Sequence, residues 1–225
     1  MDKRFDRNAV SSWSGGKDSC LALYKAVKEG YEVKALLNFA SRDMKRCCFH
    51  GISDEIIKLQ GELIGIPVIK CPVTDDMKNY EKEFKESVKS VKGIDSMIFG
   101  DIFLQEHLDW IVRVCKDIGI SPVEPLWGLD VNKIAEEFVD LGFKTIIISA
   151  QAGKLGKEFV GRVFDKILIE DLKKAGVCPC GENGEFHTLV IDGPIFKRPI
   201  NIKKTETIFK KGFWDHWFLD IKEYQ

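Results

Sequence analysis

Ser14-Gly15-Gly16-Lys17-Asp18-Ser19 is the string whose residue types and spacing point most directly to chemistry. It stands between a short apolar stretch, Ala9 to Trp13, and an amphipathic run carrying Cys20, Leu21, Leu23, Tyr24 and Val27. A strand, a tight glycine turn and a helix in that order build a cradle for an anion. The N–H groups of the turn and first helical turn have no partner within the helix. The helix dipole adds roughly half a positive charge at the same end. A phosphate or pyrophosphate suits that environment. Gly15 and Gly16 let a ligand approach the main chain with no Cβ in the way. Lys17 contributes a point charge, and Ser14 and Ser19 contribute hydroxyl donors. Asp18 beside a polyanion is the informative exception, because it suits a magnesium ion that accompanies phosphates, or a turn cap. The spacing is neither Gly-x-x-x-x-Gly-Lys-Ser/Thr nor the dinucleotide string Gly-x-Gly-x-x-Gly.

Gly181-Glu182-Asn183-Gly184-Glu185-Phe186-His187-Thr188 is the second such string. Two glycines bracket an acid and an amide, and a second acid and a histidine follow. The segment can bend sharply and present Glu182, Asn183, Glu185 and His187 to a ligand. A polar turn leading into Leu189–Ile191 would share the same composition. Cys178-Pro179-Cys180 with His187, and Cys47-Cys48 with His50, offer sulfur and imidazole donors. Neither group has the Cys-x-x-Cys spacing of common zinc or iron–sulfur sites, so a bound transition metal is not expected.

Short apolar runs alternate with helical patterns as far as residue 125, the signature of a doubly wound parallel sheet. Strands are predicted at Ala9–Trp13, Val33–Phe39, 67–71 and Ser96–Gly100. Helices are predicted over 16–29, from a Ser53 cap to Gly65, over 77–92, and over Leu104–Ile118. Ligands of such sheets bind beyond the carboxyl ends of the strands. The loops that should converge there are the one after the first strand, 38–50, 72–76 and 100–107. Past Glu124-Pro125-Leu126-Trp127-Gly128 the pattern changes. A helix over Val131–Leu141 leads to a β-branched strand, Thr145–Ser149, followed by a loop over 150–158 and a helix over 161–175. The tail, 200–222, reads as a hairpin turning near Lys211-Gly212. Its aromatics, Phe209, Phe213, Trp214, Trp217 and Phe218, suit either the packing of a small domain or a homodimer contact. The expected fold is α/β: a doubly wound parallel sheet over residues 1–126, and a smaller α/β substrate-binding domain over 127–225.

Composition bounds the function. A chain of 225 residues with 34 basic and 35 acidic side chains has a formal net charge of -1. There is no polybasic block, so nucleic acid is not an expected partner. No apolar run reaches the ~20 residues of a membrane helix, and residues 1–8 are too polar for a secretory signal. Seven cysteines without a signal peptide read as reduced thiols of a cytoplasmic protein.

The first string resembles the PP-loop of the ATP pyrophosphatase superfamily, whose members split ATP between the α and β phosphates. The two strings together, with Glu124–Gly128 between them, resemble the diphthine–ammonia ligase family. His50, Gly65-Ile66-Pro67 and Asp192-Gly193-Pro194-Ile195-Phe196 extend the resemblance over nearly the whole chain. It implies a ligase that adenylates a carboxylate, releases pyrophosphate, and amidates the substrate with ammonia. ATP and magnesium are the implied cofactors. The implied acceptor is diphthine on translation elongation factor two or a small carboxylate. The implied roles are ATP binding by residues 14–19, with adenine near Leu37, Asn38 and Phe39. Lys17, Asp18, Glu182 and Glu185 would be catalytic, with Asp18 holding magnesium. Asp101, His107, Trp127, Glu182, Asn183, Glu185 and His187 would face the substrate.

One segment departs from the family. Diphthine ligases carry Gly-Ala-Ile with following Ser and Tyr positions after the fourth strand, whereas this chain reads Gly100-Asp101-Ile102-Phe103-Leu104-Gln105-Glu106-His107. Other acceptors, in corrinoid-salvage amide chemistry or tRNA sulfur transfer, and a non-catalytic ATP-binding protein are the competing readings.

Overall fold

Parallel strands buried on both faces are apolar almost without interruption, and the first half of the chain is built from them. The structure, a computed structural model, describes residues 7–41, 52–74, 76–212 and 215–225. Cys47, Cys48, His50, Phe213 and Trp214 lie outside the described residues. The elements run β1 (Asn8–Ser12), α1 (Lys17–Lys28), β2 (Glu32–Ser41), α2 (Asp54–Ile64), β3 (Val68–Val73), α3 (Met77–Ser90), β4 (Ser96–Ile98), α4 (Gln105–Ile118) and β5 (Ser121–Val123). The strands form one parallel sheet in the order β3-β2-β1-β4-β5.

Successive strand residues point to opposite faces, and the core divides accordingly. Ala9, Leu36 and Ile98 pack with Leu21 and Leu23 of α1 and Ile56 of α2. Val10, Ala35, Leu37 and Met97 pack on the other face with Phe84 and Val88 of α3 and Ile111 and Val114 of α4. Helices therefore cover both sides, as a doubly wound sheet requires. The Ser53 hydroxyl accepts from the Ile56 N–H at 3.4 Å to open α2, and Gly65 closes it.

The second half adds α5 (Val131–Asp140), β6 (Lys144–Gln151), α6 (Lys166–Lys174), β7 (Phe186–Asp192), β8 (Ile202–Lys210) and β9 (His216–Tyr224). Its sheet is antiparallel, in the order β7-β6-β9-β8. One apolar cluster joins it to the α1 side of the parallel sheet, with Phe138, Phe164 and Leu189 beside Leu21 and Leu23. Lys25 of α1 pairs with Glu137 of α5 at 2.6 Å. Main-chain bonds stitch the halves together: Val190 N–H donates to Gly15 O and Lys197 N–H to Leu63 O, each at 3.0 Å.

Three elements differ from the sequence-based expectation. β5 is a three-residue strand with Pro122 at its centre; proline depresses strand signals. It pairs on one side with β4 and forms the sheet edge. α6 starts at Lys166 instead of 161. The preceding backbone is committed to β6, with Ile147 N–H donating to Arg162 O at 3.0 Å and Phe164 N–H to Thr145 O at 2.8 Å. β7 starts at Phe186, ahead of Leu189, because Phe186, His187 and Thr188 pair with β6. The tail is the expected hairpin. Trp217, Leu219 and Ile221 of β9 pack onto the core, and Phe209 of β8 contacts Trp217 at 4.7 Å. No described helix is long and apolar enough to cross a membrane.

Candidate active site

The strand order reverses direction between β1 and β4. The chain leaves β1 toward β2 and leaves β4 toward β5, so the two loops part and open a crevice at the carboxyl ends. A cavity of about 280 Å³ lies there. Ser14, Gly16, Lys17, Asp18 and Ser19 line one wall, and Gly100, Asp101 and His107 line the second. Glu182, His187 and Thr188 of the second half close it. The first strand's loop and the fourth strand's loop thus converge as expected, joined by the Gly181–Thr188 segment. The described parts of the loops after β2 and β3 do not line the cavity.

Gly100 sets the width of the crevice. A Cβ there would stand 2.8 Å from the Asp18 carbonyl carbon and 2.9 Å from the Ser19 nitrogen, both main chain. Gly100→Ala must push the two loops apart. We expect a loss of about 1–3 kcal/mol in denaturant melts, together with weaker nucleotide binding by calorimetry. An unchanged Kd would show that the loops do not need this approach.

The helix start carries the marks of an anion site. α1 opens at Gly16 without a side-chain cap. The Gly16 N–H donates to Ser14 Oγ at 3.2 Å, and the Lys17 N–H to Thr188 Oγ1 at 3.1 Å. Ser14 Oγ and Ser19 Oγ lie 3.1 Å apart. Three hydroxyls thus gather around donors that an anion's oxygens would also satisfy. The Lys17 ammonium is buried, paired with Asp18 Oδ2 at 2.8 Å and donating to the Cys180 carbonyl, with the Phe186 ring centroid 5.4 Å away. Burial works against its charge, but the Asp18 carboxylate outweighs that and the ammonium is held protonated.

Behind the turn sits a residue that sequence reasoning missed. Gln60 of α2 is fully buried. It accepts from Trp13 Nε1 at 3.0 Å and donates to Gly15 O at 3.0 Å and Val190 O at 2.7 Å. It fixes the glycine turn to both halves of the molecule. The signal was present: Gln60 falls in the apolar stripe of Ile56, Ile57 and Leu63, where a polar side chain must find partners.

The Gly181–Thr188 segment separates its two acids. Gly181 has φ 67, and a Cβ there would lie 2.9 Å from the Phe186 carbonyl oxygen, so the turn needs glycine. Glu182 lines the cavity and accepts from the Ile102 N–H at 3.1 Å. Glu185 is buried and turned inward, accepting from Asn183 N–H and Nδ2, each at 3.1 Å. Neither Glu185 nor Asn183 lines the cavity; together they brace the turn that presents Glu182.

The other expected contacts are placed as follows. Leu37 and Asn38 are buried in β2, with Asn38 Nδ2 donating to Trp13 O at 2.7 Å. Phe39 stacks on Phe84 at 4.7 Å. All three side chains serve the core and none lines the cavity. Trp127 is half-buried in a turn outside the cavity, held close by the Gly128 N–H to Ile102 O bond at 2.8 Å. Asp101 Oδ1 and His107 Nδ1 lie 2.9 Å apart at the cavity wall. Cys178 and Cys180 are free thiols, and no cluster of metal-binding side chains occurs among the described residues. Burial pushes the Cys180 thiol up to about 12.

Acidic groups crowd the site. Burial, then the Asp18 charge, pushes Glu182 up to about 7, against the pull of the Ile102 N–H. Burial and Asp101 push Glu124, which follows β5, up to about 7, and its Oε2 has no hydrogen-bond partner among the described residues. A carboxyl raised in this way favours its neutral form in the folded state. Glu182 therefore costs nothing below its ordinary value of 4.5, and costs stability increasingly as pH rises through about 7. We expect Glu182→Gln to raise stability by about 2 kcal/mol at pH 8 and to leave it unchanged near pH 4. Melting curves at both pH values check this; a gain that is equal at both would refute the assigned cause.

A parallel sheet with a glycine turn and a lysine-bearing helix start at its switch point defines an α/β protein with an anion site there. The chain belongs to the diphthamide synthase family: it matches the diphthamide synthase N-terminal domain over residues 7–122 and the C-terminal domain over residues 130–225. Similar proteins include three named diphthine–ammonia ligase. That of Schizosaccharomyces pombe is 28% identical over 87% of this chain, which spans 36% of the yeast protein. Those of Danio rerio and Homo sapiens are each 26% identical over 87% of this chain, covering 86% and 82% of their own lengths.

Proposed function

We propose that this chain is an ATP-dependent amide-forming ligase that adenylates a carboxylate, releases pyrophosphate, and lets ammonia displace AMP. The observation that carries the reading is the single cavity where the α1 start, the Asp101 loop and the Glu182 turn meet. Family membership and the names of the relatives support it. Residues 1–126 act as the nucleotide domain and 127–225 as the substrate domain. The phosphates sit on Ser14, Gly15, Gly16, Lys17 and Ser19, with the main-chain donors exchanging Ser14 and Thr188 hydroxyls for phosphate oxygens. Adenine extends toward the carboxyl end of β2, at Leu37–Phe39, where main chain meets it because the side chains are committed to the core. Lys17 neutralises charge that develops on the departing pyrophosphate. Asp18 would hold magnesium, which when bound would supply positive charge to offset that of the phosphates; one carboxylate plus phosphates and water is a common magnesium environment. Glu182 and His187 face the acceptor or ammonia, while Glu185 and Asn183 hold the turn. A cytoplasmic location belongs to this reading. A homodimer, if formed, would use the exposed Phe209 side of the hairpin, which a size measurement checks.

The relatives favour diphthine on translation elongation factor two as acceptor. The Asp101–His107 loop, where the chain departs from the family's pattern, favours a second reading in which the same chemistry serves another carboxylate. Incubation with ATP, ammonium chloride and elongation factor carrying diphthine separates them. AMP formation and an amidated factor by mass spectrometry support the first. AMP formed only with a small carboxylate supports the second. ADP in place of AMP overturns both.

A further inference from the structure

His107 lies on the first turn of α4, 58% exposed, with its side chain on the cavity wall. Its Nδ1 lies 2.9 Å from Asp101 Oδ1. Asp101 comes from the loop that leaves β4, and the chain curls back by six residues to bring the carboxylate under the ring. An aspartate accepting from Nδ1–H fixes the tautomer and stabilises the imidazolium that forms when Nε2 takes a proton. The loop is itself held, by Ile102 N–H to Glu182 Oε1 on one side and Gly128 N–H to Ile102 O on the other. The dyad is thus presented from a braced loop and faces the same cavity as Lys17 and Glu182.

Amide formation leaves a proton to be placed. When ammonia attacks an acyl-adenylate the C–N bond forms and the acyl C–O bond breaks. The electron pair of that bond leaves on the AMP phosphate oxygen, and the nitrogen must lose a proton to become an amide. We infer that His107 Nε2 accepts this proton, with Asp101 as its positioning residue. The inference rests on the ligase reading above and adds the group that completes its second half-reaction.

The electrostatics agree with that role. The hydrogen bond to Asp101 raises His107 above its ordinary 6.5 against the effect of burial, and Asp101, Glu182 and Glu106 add negative charge. Asp18 and Glu124 bear on the same loop through Asp101. Lys17, the cation that lines the same cavity, is committed to Asp18 and Cys180. The surroundings therefore make the imidazole a stronger base. Because only its neutral form can accept a proton, amide formation falls as pH drops through the raised value.

The experiment uses the full chain with ATP, elongation factor carrying diphthine, and either ammonium chloride or hydroxylamine. Acceptor-dependent exchange of pyrophosphate into ATP reads the first half-reaction, and amide or hydroxamate formation reads the second. His107→Gln is expected to slow amide formation about 100-fold and to slow exchange by less than a tenth of that factor. Hydroxylamine, the less basic amine, sheds its proton more readily, so hydroxamate formation should fall by less than a tenth of that factor. Asp101→Asn should shift the acid limb of the amide pH profile to lower pH, since the raising hydrogen bond is weakened. Amide formation by His107→Gln at the wild-type rate would overturn the dyad, as would equal losses in both half-reactions. Absence of exchange in the wild-type protein with both diphthine and small carboxylates would overturn the ligase reading instead.

Discussion

Lys17→Met is expected to lower AMP formation by about 100- to 1000-fold, the range for removing one electrostatic stabiliser of a transition state. The side chain is a buried cation at the start of α1, and burial raises the value of each charge–charge contact. In the structure its ammonium is held by Asp18 and the Cys180 carbonyl, on the wall of the cavity. Arriving phosphates would meet a charge already desolvated and oriented, so little reorganisation is needed when pyrophosphate departs. Removing it also leaves Asp18 without its cation, so Lys17→Met should melt at a lower temperature than wild type. Lys17→Arg separates the two effects: it keeps a cation beside Asp18 while replacing the ammonium. Comparing AMP production at a temperature where both variants are folded decides the matter. Undiminished turnover in folded Lys17→Met protein would remove Lys17 from the chemistry.

Gln60→Leu is expected to cost about 3 kcal/mol of stability and most of the nucleotide affinity. Leucine is close to glutamine in size, so cavity formation contributes little. The loss comes from Trp13 Nε1, left without its acceptor, and from the side-chain donors taken from Gly15 O and Val190 O, although Gly15 O keeps its bond from the Val190 N–H. Each is buried, and water cannot replace Gln60 without a space that leucine fills. The effect on nucleotide follows from the second of these bonds, which fixes the glycine turn. Gln60→Glu provides a control, since it keeps the acceptor toward Trp13 but loses the donors toward Gly15 and Val190. It should retain more of the Trp13 environment by fluorescence while losing the nucleotide affinity. Affinity equal to wild type in Gln60→Leu would show that the turn holds its shape without this clamp.

The two variants differ in how visible their positions were. Lys17 is legible because the glycine turn, the serines and the lysine are consecutive, and a strand–turn–helix string specifies its own geometry. Gln60 is not adjacent in sequence to any residue it bonds; only its place in an apolar stripe marks it. Helices with strong local signals were also legible. α2 has its Ser53 cap and Gly65 stop within the string itself, and α4 follows its apolar period. β5 was not legible, because three residues with a central proline form a strand only when β4 offers an edge. The start of α6 was misread for the opposite reason: β6 takes the backbone bonds of residues 161–164 that the local pattern assigns to a helix.

The Gly181–Thr188 string shows the same division within one motif. Its glycines, acids and histidine are plain in the sequence, and so is a sharp bend. Which acid faces the ligand is not. Glu182 reaches the Ile102 N–H across 80 residues, while Glu185 folds back onto Asn183 two residues away.

The sequence by itself determined an α/β chain with a phosphate-type turn after the first strand, because strand alternation, caps and glycine turns are local effects of neighbouring residues. The tertiary structure alone decided that Glu182, and not Glu185, closes the cavity shared by this turn and the Asp101–His107 loop. That convergence depends on strand order and on packing between distant segments, and such long-range contacts leave no period or spacing in the chain to be read.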